Sequence, residues 1–455
     1  MESLIFSFFY LTFIILWFYL LEYSGVKILT VSIPGIVIIV IIIIQYLGYP
    51  ILFYFLNDYR SQFIQDRDII LKIFFISIYS ITAIIIGFIF ASNILRSFQL
   101  NTQLNYFKAT VLLDKKFSRF ILYLFFILSS LVLLNYINKI GLNNIALLSA
   151  LDLIENSAST KVLRSNMGNA FEGDYHWYRL FMRDFLSITS VAFFGFCLLR
   201  KKLFYYFIFI ISFIICSFSM TMSIEKAPII KYLISLFLIY VLIRENGLFK
   251  IKNIAYLVFF VFLFLGFIYL NFTSSQNLLI GIKNAASRIL TGEIHPMYHY
   301  LEIFPQQMDF VMGRSFPNPA GLMPYDPISI SKDVYELTFS DRKTSGIVGS
   351  MPAYFVGEMY ANFGYLGIII PPFFIGFYLY WLNVLLVSFK NKTPIFLSIY
   401  IWIIFHYTGL ATTSLSKFII DFEMFIIILF FILIIALPRK MKLHYFKFTS
   451  IEKNK

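Results

Sequence analysis

Cysteine is nearly absent from this 455-residue chain. The two present, Cys197 and Cys216, both lie inside apolar runs. A disulfide framework or a cysteine metal cluster is therefore not expected, and both read as core residues. Charge is scarce as well. Only 13% of residues are Asp, Glu, Lys or Arg, while 60% are hydrophobic. Ordinary globular domains carry about 25% charged and about 45–50% apolar residues. A water-soluble domain cannot hide so much apolar surface, so the bilayer must be the solvent. Also missing are a Walker-type phosphate loop, a dinucleotide fingerprint and a His-Glu-x-x-His motif, so nucleotide-driven work is not expected. There is no long Ser/Gly linker, no internal repeat and no heptad pattern.

What charge there is has a strong bias, with a formal net of +13. The bases sit mostly in short segments between apolar runs. They therefore read as topology determinants and lipid-headgroup contacts rather than as a nucleic-acid surface. About 20 apolar residues cross a bilayer. On that measure the candidate spans are roughly 4–22, 28–47, 70–91, 120–137, 185–199, 203–222, 228–243, 254–271, 363–388, 395–411 and 418–437. The first run has no basic region ahead of it and is long enough to span, which reads as a helix rather than a cleavable signal. Residues 48–56 read as a re-entrant piece or a shifted span boundary. The expected fold is an all-α polytopic membrane protein with about 11 (10–13) transmembrane helices.

Orientation follows from Lys and Arg in the connections. Arg96, Lys108, Lys115, Lys116 and Arg119 lie in one. Residues 200–202 (Arg-Lys-Lys) make another. Arg244, Lys250 and Lys252, then Lys390 and Lys392, then Arg439, Lys440 and Lys442 complete the set. One assignment satisfies them all: basic connections and the C-terminus inside. The chain then divides into N-terminal helices (1–137), a first large external loop (138–184), central helices (185–271), a second large external loop (272–357), C-terminal helices (358–437) and a basic cytoplasmic tail (438–455). The aromatic run Tyr175-His176-Trp177-Tyr178 in the first loop argues for order there. Lys72, Asp184, Lys226, Lys231, His406, Asp421 and Glu423 fall within or near span ends on the outer side. Intramembrane charge is costly and tends to face a bundle interior or a wet cavity.

The most informative stretch is 288–376. It contains Ser350-Met351-Pro352-Ala353-Tyr354-Phe355-Val356-Gly357-Glu358-Met359-Tyr360-Ala361-Asn362-Phe363-Gly364-Tyr365-Leu366-Gly367. On a helix, Gly357, Ala361 and Gly364 make one small face, suited to close helix approach. Glu358, Asn362 and Tyr365 share a neighbouring face. A carboxylate would thus sit beside an amide and a phenol at the mouth of a packed helix. The competing readings are packing alone for the glycines and a solvated interfacial acid for Glu358. The Gly-Glu-x-x-x-x-Phe-Gly-x-x-Gly entry, the preceding proline and the upstream Arg-Ser-Phe-Pro-Asn-Pro at 314–319 resemble O-antigen polymerases of the Wzy type, the oligosaccharide repeat-unit polymerase family. The match in detail covers about 80 residues, while the first 135 match in hydropathy alone.

The resemblance implies a metal-independent inverting glycosyltransferase of the bacterial cytoplasmic membrane. Its substrates would be undecaprenyl-pyrophosphate-linked glycan donor and acceptor, polymerised at the outer face into O-antigen, capsule or a related surface polysaccharide. A flippase and a chain-length regulator would be further partners; no nucleic acid, cofactor or metal is expected. Such chemistry needs cations for the leaving diphosphate, with Arg matching phosphate geometry best. It also needs a base for the acceptor hydroxyl. Glu358 and Arg288 are the catalytic candidates. Arg164, Lys226, Arg314, His295, Tyr354 and Asn362 are the substrate-binding ones, with Arg179 and Arg183 behind Arg164. His299 and His406 follow Glu358 and His295 as bases. His295 and His299 stand at i, i+4 near Glu293 and Glu302, a spacing that can share a metal; Pro296 between them fits a continuous helix only at a first turn. An O-antigen ligase is the near alternative; there a histidine in the second external loop would precede the helix entry, whereas Glu358 stands here. A lipid-linked oligosaccharide flippase is the alternative of a different class. It would show pseudo-repeats and short loops.

Overall fold

A computed structural model describes residues 2–55, 64, 66–97, 112–151, 160–169, 171, 174–272, 278–339, 349–389 and 392–436. Among them the chain is helical, with no β-strand. Among the described residues nine helices are long and apolar enough to cross a membrane: Ser3–Ser24, Ile33–Tyr54, Arg67–Leu95, Lys116–Ile140, Tyr175–Leu199, Leu203–Thr221, Lys226–Arg244, Tyr365–Val387 and Pro394–Ala411. The chain is an all-α polytopic membrane protein. Of the other two expected spans, 254–271 falls in the helix Ile251–Phe272, and 418–437 becomes Phe422–Phe431 followed by a π-helical turn, Ile432–Ala436. Lys108, Lys390, Arg439, Lys440, Lys442 and the tail 438–455 lie outside the described residues, as do 152–159 and 340–348 of the two expected loops.

At residues 48–55 the shifted span boundary is what the structure has: the helix Tyr49–Tyr54 follows Ile33–Gln45 across a turn and the two make one candidate span, Ile33–Tyr54. Two sequence expectations change. The helix expected at 185 begins at Tyr175, so the first loop loses its last ten residues to a span. The charges that hid this helix are partnered. Arg179 pairs with Glu423 at 3.4 Å, Arg183 with Glu225 at 2.6 Å, and Asp184 accepts the Trp402 indole N–H at 2.8 Å. Finally, Glu358, Asn362 and Tyr365 do not share a face. Gly364, at φ 59°, ends the Phe355–Phe363 helix, and Tyr365 is exposed while the other two are buried.

The chain forms two compact units. The first comprises Met1–Gln103, Gln276–Ser388 and Ile404–Asp421. Its centre is the crossing of Arg67–Ser97 with Pro371–Val387. These run in the same direction, since Tyr79 donates to the Ile369 carbonyl and Phe88 meets Tyr380 further along. Gly87 and Gly376 make the crossing possible. A Cβ on Gly376 would lie 2.1 Å from the Ile84 carbonyl oxygen, and one on Gly87 would lie 2.3 Å from that of Phe373. Backbones this close gain dispersion and tight packing where no hydrophobic force drives helices together. One end of the unit is pinned by Asn383, whose side-chain oxygen accepts the Ile33 N–H at 3.1 Å. Towards the other end Gln45, buried, donates to the carbonyls of Ala411 at 2.7 Å and Glu293 at 3.3 Å.

The second unit comprises Leu104–Ser275, Phe389–Ile403 and Phe422–Lys455. Hydroxyls join its helices. Ser190 meets Ser212 at 3.0 Å and Tyr232 at 2.6 Å. Within Tyr175–Leu199 one turn, Leu180–Phe185, is π-helical. The Ser219 hydroxyl donates to the Met182 carbonyl there at 2.7 Å.

Candidate functional site

The first unit holds a buried carboxylate at the end where Gln45 anchors the chain. The Phe355–Phe363 helix places Glu358 in its first turn, where an acid is favoured by the helix dipole. The side chain is 3% exposed. Its Oε2 accepts the Ser416 N–H at 2.9 Å. The hydroxyls of Ser416 and Ser315 and the N–H of Leu415 also donate to it. Burial pushes the Glu358 carboxyl above its usual range, and the donors pull it back only in part.

Asn362, one turn on, is fully buried and assembles the loop over Glu358. Its amide donates to the Ser315 hydroxyl at 2.8 Å and to the Glu358 carbonyl at 2.8 Å, and its oxygen accepts the Gly313 N–H at 2.8 Å. The same loop is held by backbone bonds from Val311 to Ala361 and from Met312 to Asn362. Arg314 is therefore fixed at its backbone, where its N–H reaches the Val311 carbonyl and its own carbonyl accepts the Ile328 N–H, while its side chain is exposed. A chain of contacts results: Asn362 to Ser315, Ser315 to Glu358, and Glu358 to Leu415 and Ser416.

Arg288 ends the helix Leu278–Leu290. Its side chain is 48% exposed and lies 3.4 Å from Glu293. Gln45 holds the Glu293 carbonyl, so one buried amide joins the Arg288 turn to Ala411, a few residues before Leu415. The helix His295–Ile303 carries a histidine pair. Nε2 of His295 and Nε2 of His299 are 3.4 Å apart, and Nδ1 of His299 lies 3.1 Å from Glu302. With Nδ1–H donating to the carboxylate, His299 Nε2 accepts from His295. Burial lowers the His299 pKa against the opposing pull of Glu302. Among the described residues no group of three or more His, Cys, Asp or Glu could hold a metal. His406 pairs with Asp421 at 2.5 Å, each side chain 11% exposed.

Tyr354 is buried, its hydroxyl bonded to that of Ser80, and burial raises its pKa. It anchors the start of the Glu358 helix. Arg164 and Lys226 belong to the second unit. Arg164 is exposed on Thr160–Asn169; Lys226 opens its helix, and the adjacent Glu225 pairs with Arg183. The structure thus brings Glu358 and Asn362 together in one network and puts Arg314 on its rim. Sequence reading missed Ser315, Leu415 and Ser416. Ser315 stood inside the 314–319 motif with no role of its own, and the signal for the other two was the hydroxyl-rich Thr412-Thr413-Ser414-Leu415-Ser416 following an apolar run.

Chemically, the site is a carboxylate of raised pKa behind two serine hydroxyls, with an exposed guanidinium on the neighbouring residue. Such a group accepts a proton from a hydroxyl more readily than an ordinary surface carboxylate does. No family model, curated protein or solved structure matches the chain.

Proposed function

We propose that this membrane protein is a glycosyltransferase acting on lipid-linked sugars. More particularly, it polymerises undecaprenyl-pyrophosphate-linked repeat units into O-antigen, capsule or a related polysaccharide at the outer face of the bacterial cytoplasmic membrane. The observation that carries the reading is the Glu358 network, a buried carboxylate with hydroxyl neighbours and a cation on its rim, within the segment whose motif resembles the polymerases. In the proposed reaction a hydroxyl of the acceptor glycan attacks the anomeric carbon of the donor. The new glycosidic C–O bond forms as the bond to the diphosphate breaks, with inversion. The hydroxyl proton passes to Glu358, directly or through Ser315 or Ser416, and the leaving diphosphate keeps the electron pair. Arg288 and Arg314 stabilise that developing charge. His295 is assigned to the substrate, and Asn362 and Tyr354 position the loop and helix that carry Glu358; the candidates Arg164 and Lys226, which lie in the second unit, are given no part in this site.

Gene deletion followed by glycan analysis tests this. A polymerase mutant displays a single capped repeat unit. Polymer accumulating undelivered on its lipid would instead indicate a ligase, and intermediates retained inside the cell a flippase; either would overturn the proposal. Complementation with Arg288→Ala should restore protein in the membrane without restoring polymer.

A further inference from the structure

The second unit contains a polar cluster that the Glu358 chemistry does not use. Lys231 lies five residues into the helix Lys226–Arg244, about 7–8 Å along its axis. A lysine facing acyl chains there would be costly. It is exposed, and it lies within electrostatic reach of Asp184, Arg179 and Glu423, which come from two other helices. Asp184 accepts the Trp402 indole N–H at 2.8 Å. Arg179 and Glu423 make a loose 3.4 Å pair with side chains 50% and 35% exposed. Next to that pair along both helices, Trp177, 38% exposed, meets Phe422 edge-on at 5.1 Å. The π-helical turn at Leu180–Phe185 separates Arg179 from its helix's regular part; such turns often re-aim side chains at functional sites.

The composition of the cluster narrows its ligand. Two carboxylates beside the cations would repel a phosphate, and Arg179 and Lys231 would repel a metal ion. Donors and acceptors in equal number, together with an open aromatic surface, suit a neutral molecule rich in hydroxyls with an apolar ring face. We propose that Trp177, Arg179, Lys231 and Glu423 form a binding subsite for a neutral sugar ring. The site goes beyond the Glu358 reading and is testable apart from it.

The experiment uses the full chain in nanodiscs and saturation-transfer NMR. The probes are maltotriose, chitotriose and a galactose trisaccharide, with inorganic pyrophosphate as the anionic comparison. At least one trisaccharide should receive saturation and pyrophosphate none. Trp177→Ala and Lys231→Ala should each weaken trisaccharide binding about tenfold, the scale of one lost polar or stacking contact. Trp177→Phe, which keeps an aromatic ring, should bind within a few-fold of wild type and report on folding. The assay reads binding in the absence of any lipid-linked donor, so failure of this site and failure of the proposed reaction are separate results. Absence of binding by all three sugars overturns the proposal. So does binding indifferent to both alanine variants, and so does pyrophosphate binding that Lys231→Ala abolishes.

Discussion

Replacing Glu358 separates a catalytic carboxylate from a structural one, because its partners differ in what they can do. The N–H groups of Leu415 and Ser416 are fixed donors, whereas the hydroxyls of Ser315 and Ser416 rotate and can accept. In Glu358→Gln the amide oxygen can face the two N–H groups and the NH₂ the two hydroxyls. Every buried polar atom keeps a partner, so the loss is about 1 kcal/mol, that of exchanging charged for neutral hydrogen bonds. In Glu358→Ala both N–H groups lose their acceptor. At about 1–3 kcal/mol for each buried donor left unmade, part of it offset by removing a desolvated carboxyl, the loss is about 2–5 kcal/mol. Thermal unfolding of the purified protein should rank the three accordingly. Polymer length should not follow that ranking: Gln, nearly as stable as wild type, should make no polymer, because an amide cannot take the acceptor proton. If Glu358→Gln makes polymer of wild-type length, the carboxylate serves only to hold the loop and the base assignment is wrong.

The raised pKa of Glu358 sets a pH dependence. Only the ionised form accepts a proton, so the acid limb of polymerisation, measured in membrane vesicles, should have its midpoint above the ordinary carboxyl value of about 4.5. A second buried acid, Asp114, is pushed up to about 7 by burial, against hydrogen bonds from Thr393 and the Ile395 N–H. A raised carboxyl stabilises the fold fully below its unfolded value near 3.8, and that contribution is lost as pH rises through about 7. Asp114→Asn should therefore flatten the fall in thermal stability between pH 5 and 8, which unfolding curves across that range would check. At the helix crossing, Gly376→Ala places a Cβ 2.1 Å from the Ile84 carbonyl oxygen, where 3.4 Å is ordinary contact. The helices must part by about 1 Å, and the variant should lose about 1–3 kcal/mol or more. Gly168→Ala, which meets only the Tyr175 ring at 3.7 Å, should be unaffected in the same denaturation assay.

Hydropathy made most spans legible because lipid-facing helices carry their own signal residue by residue. It failed at Tyr175–Asp184, where Arg179, Arg183 and Asp184 look like loop residues until their partners in other helices are seen. Pairing cancels the cost that makes charge a loop marker, and pairing across helices leaves no local trace. The Gly364 break was equally hidden. Glycine is tolerated inside membrane helices, so only the backbone angle shows that the helix stops there and that Tyr365 leaves the face of Glu358. Glu358 itself stood out through its motif. Its donors did not, since Ser416 is 58 residues away and serine near a span end has many ordinary roles.

The site that emerges divides its charges by exposure, and the division bears on why a transfer enzyme would be built this way. Arg314 is held at its backbone with its side chain in the open, and Arg288 is half exposed against Glu293. On the proposed reading, guanidinium groups there would meet a diphosphate that remains part of a membrane lipid, with little rearrangement of the protein. Glu358 is the opposite: buried, with serine hydroxyls as its neighbours. An exposed carboxylate would activate bulk water as readily as a sugar hydroxyl, and the donor would be hydrolysed. If Glu358 is the base, as proposed, its burial would restrict it to a hydroxyl delivered to the Ser315–Ser416 side, and the same burial raises its pKa towards the range where a base works best. On this argument Ser315→Ala should do more than loosen the loop. By opening Glu358 to water, it should raise the release of free glycan relative to polymer, a ratio that isotope-labelled donor in membrane vesicles would measure. An unchanged ratio would mean that exclusion of water is not what the burial of Glu358 achieves.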